Sequence, residues 1–273
     1  MLGNLLIFLV KAPLLKRLIP SLIKKISSVI NLQVKIKRNN AIFLLNTKNR
    51  HDRALLLSHD YEPDQINFLL NEINTQNNFN IFIDIGACIG FYSLSIASMC
   101  PNISRIDLFE PHNENFLCAK RNIELNNEIA IKSNLYNFGL SNQNESKKLY
   151  TLKKNGDGAG GSIAEFEGQY SDKGAFSFDI EVRIGDELLK YENERIVLKI
   201  DVERHELNVL KGIKRLLTKN KCLVQVEVFG EYFESISSIM KDYGYKEFHR
   251  IDHNYIVDVS DYYYKNYWYS IIA

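Results

Sequence analysis

The chain has 273 residues, with 34 Lys and Arg against 33 Asp and Glu, a net charge of +1. That near-neutrality gives no electrostatic footprint for a nucleic-acid partner, and the length can bury a sizeable core in one large or two small domains. Cys88, Cys100, Cys118 and Cys222 form no C-x-x-C pair, so they read as reduced thiols of a cytoplasmic protein and not as a disulfide frame or zinc site.

The charge is unevenly spread. No acid precedes Asp52, whereas ten basic residues lie before it, from Lys11 to Arg50. The apolar run Leu5–Val10 is far shorter than the roughly 20 residues that span a bilayer. Positive charge follows this run and no clear cleavage site does, which argues against a signal peptide. Pro13 and Pro20 are placed to start short helices. Residues 1–50 are therefore expected to be a basic extension of helical segments and a hairpin, ahead of a domain over 51–273. The plainer reading makes the first helices a cap. The alternative makes them a surface resting on anionic lipid at the inner membrane face.

Leu32–Arg38 and Ala41–Asn46 alternate around Asn39-Asn40, which predicts a hairpin. Ile66, Leu69, Leu70 and Ile73 fall at helical spacing. Next comes Ile81–Ile85, apolar but for Asp84, reading as a strand buried on both faces. Gly86 turns the chain, and Gly90 opens a helix over Phe91–Met99. A strand over Arg105–Phe109 follows, ending at Glu110, with a helix over Asn113–Asn126 and a third strand over Ile131–Phe138. Lys147–Leu152 leads into the glycine-rich run Asn155–Ser162, read as a connection near the site. Phe178–Ile184 and Ile196–Ile200 are predicted strands. A helix marked by Leu207, Leu210, Ile213 and Leu217 precedes strand Leu223–Val228. A helix near Phe233–Tyr243 and a hairpin of Tyr245–Arg250 with Tyr255–Val259 close the domain. The aromatic tail around Tyr262–Tyr269 reads as packing or an oligomer contact, with sugar stacking as the alternative. Alternating strands and helices make an α/β, doubly wound, Rossmann-like sheet.

A strand, a glycine turn and a helix N-terminus form a nucleotide-sized site at the carboxyl edge of such a sheet. Glu110, at the tip of the second strand, is placed to hold a ribose diol by charge-assisted hydrogen bonds. A dinucleotide site normally shows G-x-G-x-x-G. Here Gly86 and Gly90 are four apart with Cys88 between them, and Asp84 would repel a pyrophosphate. An acid there suits the cationic end of S-adenosylmethionine. The expected cofactor contacts are Asp84, Gly86, Cys88, Gly90 and Glu110. A nicotinamide oxidoreductase is the rival that the glycine spacing argues against.

Lys199-Ile-Asp-Val-Glu-Arg-His-Glu206 sits where a second buried strand gives way to a helix. So many ionisable groups beside an apolar strand point to pairing or function. Helix N-terminal chemistry is the alternative for Glu203 and Glu206. The motifs FIDIGACIGFYSL, FEPHNENFLCAKRNIELNN, GGS, LKIDVERHELNVLKG and VQVEV, in that order, resemble those of FkbM-type S-adenosylmethionine-dependent methyltransferases. The resemblance runs from about Asp52 to Gly230. It implies a class I methyltransferase fold, with methyl transfer to an oxygen, commonly a hydroxyl of a sugar or natural product. It assigns Asp84, Gly86 and Gly90 to the methionine and ribose, and Glu110 to the ribose. Arg204 stands where the family's D-V-E-G-x-E has glycine, and Cys88 where asparagine is common.

Deprotonating a hydroxyl acceptor calls for a general base, worth about 10²–10⁴-fold. Asp201, at the strand tip, is the leading candidate, with Glu203, His205 and Glu227 as further catalytic residues. Asp201, Glu203 and Glu227 would also suit a hard divalent cation, although the spacing does not require a metal. The reading is an O-methyltransferase acting on a glycan hydroxyl in surface-polysaccharide synthesis. A small natural product, a lipid-linked acceptor, or a non-catalytic glycan- or membrane-binding role on the same fold are the alternatives.

Overall fold

The computed structural model describes residues 32–58, 61–76, 78–151, 162–163, 176–251, 255–256 and 267–272. The expected N-terminal helices, the lipid-facing surface and most of the glycine-rich run lie outside the described residues.

Strands β1 (Gln33–Arg38) and β2 (Ala41–Asn46) pair antiparallel through Asn39 and Asn40. Both turn residues have positive φ, 45° and 62°, the two-residue turn whose twist suits a hairpin and which asparagine tolerates. The inward row Val34, Ile36, Ala41, Phe43 and Leu45 packs into one core with Phe82, Phe91 and Leu94. Asn122 and Asn126 satisfy the outer edge of β2: their side-chain oxygens accept the Leu44 and Ile42 N–H groups, each at 2.9 Å. Helices α1 (Arg50–Leu57) and α2 (Pro63–Gln76) follow, the latter burying Ile66, Leu69, Leu70 and Ile73 as its periodicity predicts.

Then come β3 (Ile81–Ile85), α3 (Phe91–Met99), β4 (Arg105–Phe109), α4 (Asn113–Glu124), α5 (Asn127–Ala130) and β5 (Ser133–Tyr136). The first three match their sequence-based bounds. The third predicted strand is shorter than its apolar run, because Ile131 caps α5 and is 85% exposed. Strands β6 (Gly139–Ser141), β7 (Glu145–Thr151), β8 (Ser162–Ile163) and β9 (Phe176–Ile184) make a second sheet of order β6-β9-β7-β8. Helix α6 (Gly185–Leu188) leads to β10 (Arg195–Ile200).

The single helix expected over Leu207–Leu217 is two, α7 (Glu206–Gly212) and α8 (Lys214–Lys219). The break follows from packing: a Cβ on Gly212 would lie 1.9 Å from the carbonyl oxygen of Ser141, so glycine lets β6 press against the helix end. Strand β11 (Lys221–Val228), helix α9 (Phe233–Asp242) and strands β12 (Glu247–Arg250), β13 (Tyr255–Ile256) and β14 (Tyr267–Ile272) complete the chain. The closing hairpin forms between β12 and β13, but β14 inserts between β11 and β12, antiparallel to both. The aromatic tail thus contributes a strand whose partners are set by a long-range crossover.

Among the described residues the main sheet runs β13-β12-β14-β11-β10-β3-β4-β5, and the five strands from β11 to β5 are parallel. Side-chain alternation along β3 separates two cores. Ile81, Ile83 and Ile85 face Leu198, Ile200 and Val209, while Phe82 faces the hairpin and α3. Asp84 shares the face of Phe82, and Lys199 of β10 is its register partner. The sheet therefore sets an acid and a base side by side beneath its carboxyl edge.

Candidate active site

The β3–α3 turn forms the floor of the site. The Gly86 and Ala87 N–H groups donate to the Phe109 carbonyl at 2.9 and 3.0 Å, tying the turn to the tip of β4. Gly86 has φ +82°, and a Cβ there would lie 1.8 Å from the Asp201 carbonyl oxygen. Glycine is needed twice over, for the left-handed backbone and for the close approach of β10. Gly90, at φ +81°, needs only the conformation, since a Cβ would find Ala119 at an ordinary 3.6 Å. Cys88 is also left-handed, with φ 51°.

Glu110 is 7% exposed at the tip of β4. Its Oε2 accepts the Cys88 N–H at 2.8 Å and its Oε1 the His112 N–H at 2.9 Å. Burial pushes its pKa up to about 7, against the pull of those two amides. The Asn115 side chain also hydrogen-bonds to Glu110, and a carboxylate, with about four lone-pair sites, keeps capacity for a further donor. This donor set fits the cofactor: a buried acid for a vicinal diol, a turn with no room for a side chain at Gly86, and further carboxylates beyond it.

Asp84 is sealed. It is fully buried, its Oδ2 accepts the Ser93 hydroxyl at 2.7 Å, and its Oδ1 lies 3.7 Å from Lys199 Nζ. The strand pleat places this acid, expected to meet the cationic end of the ligand, beneath the turn, where it anchors α3. Lys199 Nζ also donates to the Gly86 carbonyl at 2.9 Å and lies 3.2 Å from Asp201 Oδ2. Burial pulls the Lys199 pKa down, but Asp201, Asp84 and Glu62 outweigh it and raise it, so the ammonium stays charged. The Asp201 N–H donates to the Ile85 carbonyl at 3.0 Å, so the two strand tips are stitched together.

Asp201 is 26% exposed through its side chain. It hydrogen-bonds to Glu227 of β11, whose pKa is pushed up to about 10 by burial first and then by Asp201. Burial and the adjacent Asp201 both favour the protonated form of Glu227, and a shared hydrogen bond joins the two carboxyl groups. Glu203 adds negative charge beside Glu227. The structure thus brings Asp201, Glu203 and Glu227 together.

His205 and Glu206 go elsewhere. His205 is 3% exposed, with Nε2 against the Ser141 hydroxyl at 3.0 Å and Nδ1 facing the Asn208 amide at 3.1 Å. Burial lowers its pKa to about 4, so it is neutral and joins α7 to β6. His205, one of the candidate catalytic residues, therefore stands apart from the Asp201–Glu227 pair. Glu206 Oε1 accepts the Val202 and Arg204 N–H groups at 3.4 and 3.1 Å, closing a turn in which Glu203 and Arg204 have φ of 52° and 80°. Arg204 adopts the left-handed backbone that glycine would hold without strain, with its guanidinium 4.5 Å above the Phe229 ring. Among the described residues no group of three or more His, Cys, Asp or Glu side chains could hold a metal ion. No helix of the described residues is long and apolar enough to cross a membrane.

Sequence reasoning passed over Tyr61 and Glu62, which lie against this site. The Tyr92 hydroxyl donates to Glu62 Oε2 at 2.7 Å, and Lys199 Nζ lies 5.2 Å from the Tyr92 ring centre. Nothing in the local pattern of residues 61–62 marks them, because only the fold brings them to the strand tips.

No match was found among curated protein sequences. Methyltransferase FkbM from Methylobacillus flagellatus KT is a similar solved structure, 16% identical, with a TM-score of 0.46 over 70% of this chain. The chain spans 43% of the length of that protein. Precorrin-6y C5,15-methyltransferase from Geobacter metallireducens GS-15 is 13% identical, with a TM-score of 0.41 over 79% of this chain and 88% of its own. The N-terminal domain of human METTL16 in complex with SAH is 14% identical, with a TM-score of 0.42 over 77% of this chain and 70% of its own. The family model described as the methyltransferase FkbM domain matches residues 84–247, well over half of the sequence, from Asp84 through Glu110, Asp201 and Glu227. The chain belongs to the FkbM family of S-adenosylmethionine-dependent methyltransferases.

Proposed function

We propose that the protein is an O-methyltransferase whose acceptor is a sugar hydroxyl of a surface polysaccharide or related glycan, with Asp201 as the general base. The observation that carries this reading is the Asp201–Glu227 pair: a partly exposed Asp201 held by Lys199 at 3.2 Å and hydrogen-bonded to the buried Glu227 carboxyl. The bound donor supplies an electrophilic methyl group on a sulfonium. Transfer is an in-line displacement, so alignment of acceptor and donor supplies much of the acceleration. A hydroxyl oxygen is a weak nucleophile until its proton is removed, and Asp201 takes that proton as the oxygen–carbon bond forms and the carbon–sulfur bond breaks. Lys199 keeps the Asp201 carboxylate oriented. Glu227 shares a hydrogen bond with Asp201 and orients acceptor hydroxyls.

Asp84 supports the site from beneath, and Glu110 receives the ribose diol. The alternative reading of the basic residues before Leu32, a surface resting on anionic lipid, would bring a lipid-linked glycan to the site. The test is transfer of labelled methyl from S-adenosylmethionine to surface glycans of cells lacking the protein. Mass spectrometry should find one methyl group restored. Glycans left unlabelled, with label found on a protein or free small molecule instead, would overturn the sugar reading.

A further inference from the structure

We propose that Glu62, ahead of the family's matched segment, recognises the α-ammonium group of the methyl donor and so belongs to the donor site. The inference rests on the donor reading above and names the residue that completes it.

The starting point is a backbone outlier. Glu62 has φ 46°, a conformation that non-glycine residues adopt at a cost and that tends to persist where surrounding structure requires it. Several contacts hold it there. The Tyr92 hydroxyl donates to its Oε2 at 2.7 Å, and Tyr61 also hydrogen-bonds to it. The Tyr61 ring meets Phe91 edge-on at 5.1 Å, and His51 Nδ1 lies 3.0 Å from the Tyr61 hydroxyl. Phe91 and Tyr92 are the first residues of α3, directly after Gly90. The carboxylate is therefore fixed to the helix that starts at the donor turn.

Its charge partners place it on the side of β3 away from Glu110. Glu110, which receives the ribose, stands at the tip of β4, on one side of β3. Lys199 and Asp201, whose charges act on Glu62, stand at the tip of β10 on the other side. Neighbouring strands lie about 4.8 Å apart, so the two sides are separated by about 10 Å. That is the scale of the distance from a ribose to the amino group of its methionine. Asp84, the acid that the sequence offers for this cation, is fully buried against Ser93 and Lys199. Asp201 is engaged by Lys199 and Glu227. Glu62 is partly exposed and retains acceptor capacity beyond its tyrosine donors. An ammonium there gains a charge-assisted hydrogen bond, roughly twice as strong as a neutral one.

Calorimetry on the full-length protein tests this with three ligands: S-adenosylhomocysteine, its analogue lacking the amino group, and 5′-methylthioadenosine. Wild type should prefer S-adenosylhomocysteine over the deaminated analogue by about tenfold or more, the worth of a hydrogen bond to a charged group. Glu62→Gln should abolish that preference and leave 5′-methylthioadenosine binding unchanged, which also shows that the variant is folded. Asp201→Asn should keep the preference. Equal weakening of all three ligands in Glu62→Gln would make the residue structural and overturn the inference. A preference that survives in Glu62→Gln, or is absent from wild type, would overturn it too. Failure of wild type to bind any of the three would instead sink the donor reading, and this inference with it.

Discussion

Replacing Gly86 with alanine tests how the donor turn and the catalytic strand are held together. At φ +82° the new side chain must sit in the left-handed region, at a cost of about 1–2 kcal/mol. The added Cβ would also fall 1.8 Å from the Asp201 carbonyl oxygen and 2.9 Å from its carbonyl carbon. Both are backbone atoms, so neither can rotate away, and the turn or the tip of β10 must move. Overpacking of this kind typically costs a further ~1–3 kcal/mol. The total, about 2–5 kcal/mol, is a large share of the 5–15 kcal/mol by which domains are stable. Gly90→Ala is the matched control, because it has the same backbone conformation at φ +81° but meets Ala119 only at 3.6 Å. It should cost about 1–2 kcal/mol from the backbone alone. Urea denaturation of the two variants gives the difference. Turnover should separate them further, because the shifted residue in Gly86→Ala is Asp201 itself, and a 1 Å misplacement can cost about a hundredfold. Equal stability of the two variants, with full turnover in Gly86→Ala, would refute the argument.

Four other outcomes follow from the same geometry. Glu110 titrates at about 7, above its ordinary 4.5, and a ribose diol prefers the ionised form, so S-adenosylhomocysteine should bind more tightly as pH rises from about 6 to 8. Glu110→Gln should bind weakly and flatten that profile, and calorimetry across this range decides it. The same raised value means that stability associated with Glu110 is fully present below about pH 4.5 and is lost as pH climbs through about 7, which denaturation of wild type and Glu110→Gln in parallel would show. Arg204→Gly should be more stable than Arg204→Ala by about 1 kcal/mol, since both lose the Phe229 ring contact but only alanine keeps the left-handed strain; thermal melts check it. If the residues before Leu32 rest on anionic lipid, deleting them should abolish co-sedimentation with anionic vesicles and leave cofactor affinity intact, and salt should weaken the association of the full chain.

Most of the parallel sheet was legible because its strands are apolar on both faces and end in recognisable chemistry. Ile81–Ile85 with Gly86, and Arg105–Phe109 with Glu110, match their predicted bounds because buried strand, turn and acid are all local signals. The antiparallel half was harder to read. The tail Tyr267–Ile272 carries a strand between β11 and β12, yet its neighbours are set by a long-range crossover that no window of sequence contains. Gly212 hid its role as well: it breaks a helix because the Ser141 backbone lies against it, a contact from 71 residues away in the chain. Strand-tip position was enough to expect Asp201 and Glu227 near one another, as they lie, whereas periodicity gave no warning that His205 turns toward Ser141. The burial of Asp84 was not legible, since pleat direction decides which acid meets solvent.

The most direct test of the account is methyl transfer by Asp201→Asn. Wild-type protein, incubated with methyl-labelled S-adenosylmethionine and glycans from cells lacking it, should transfer label. Asp201→Asn should bind S-adenosylhomocysteine with wild-type affinity but transfer about a hundredfold or more slowly, because the amide keeps the shape and cannot take the proton. Glu227→Gln should stay within about tenfold of wild type, since the protonated form of its carboxyl is favoured and the amide still donates. Wild-type rates in Asp201→Asn, with activity lost in Glu227→Gln, would contradict the assignment and make Glu227 the base.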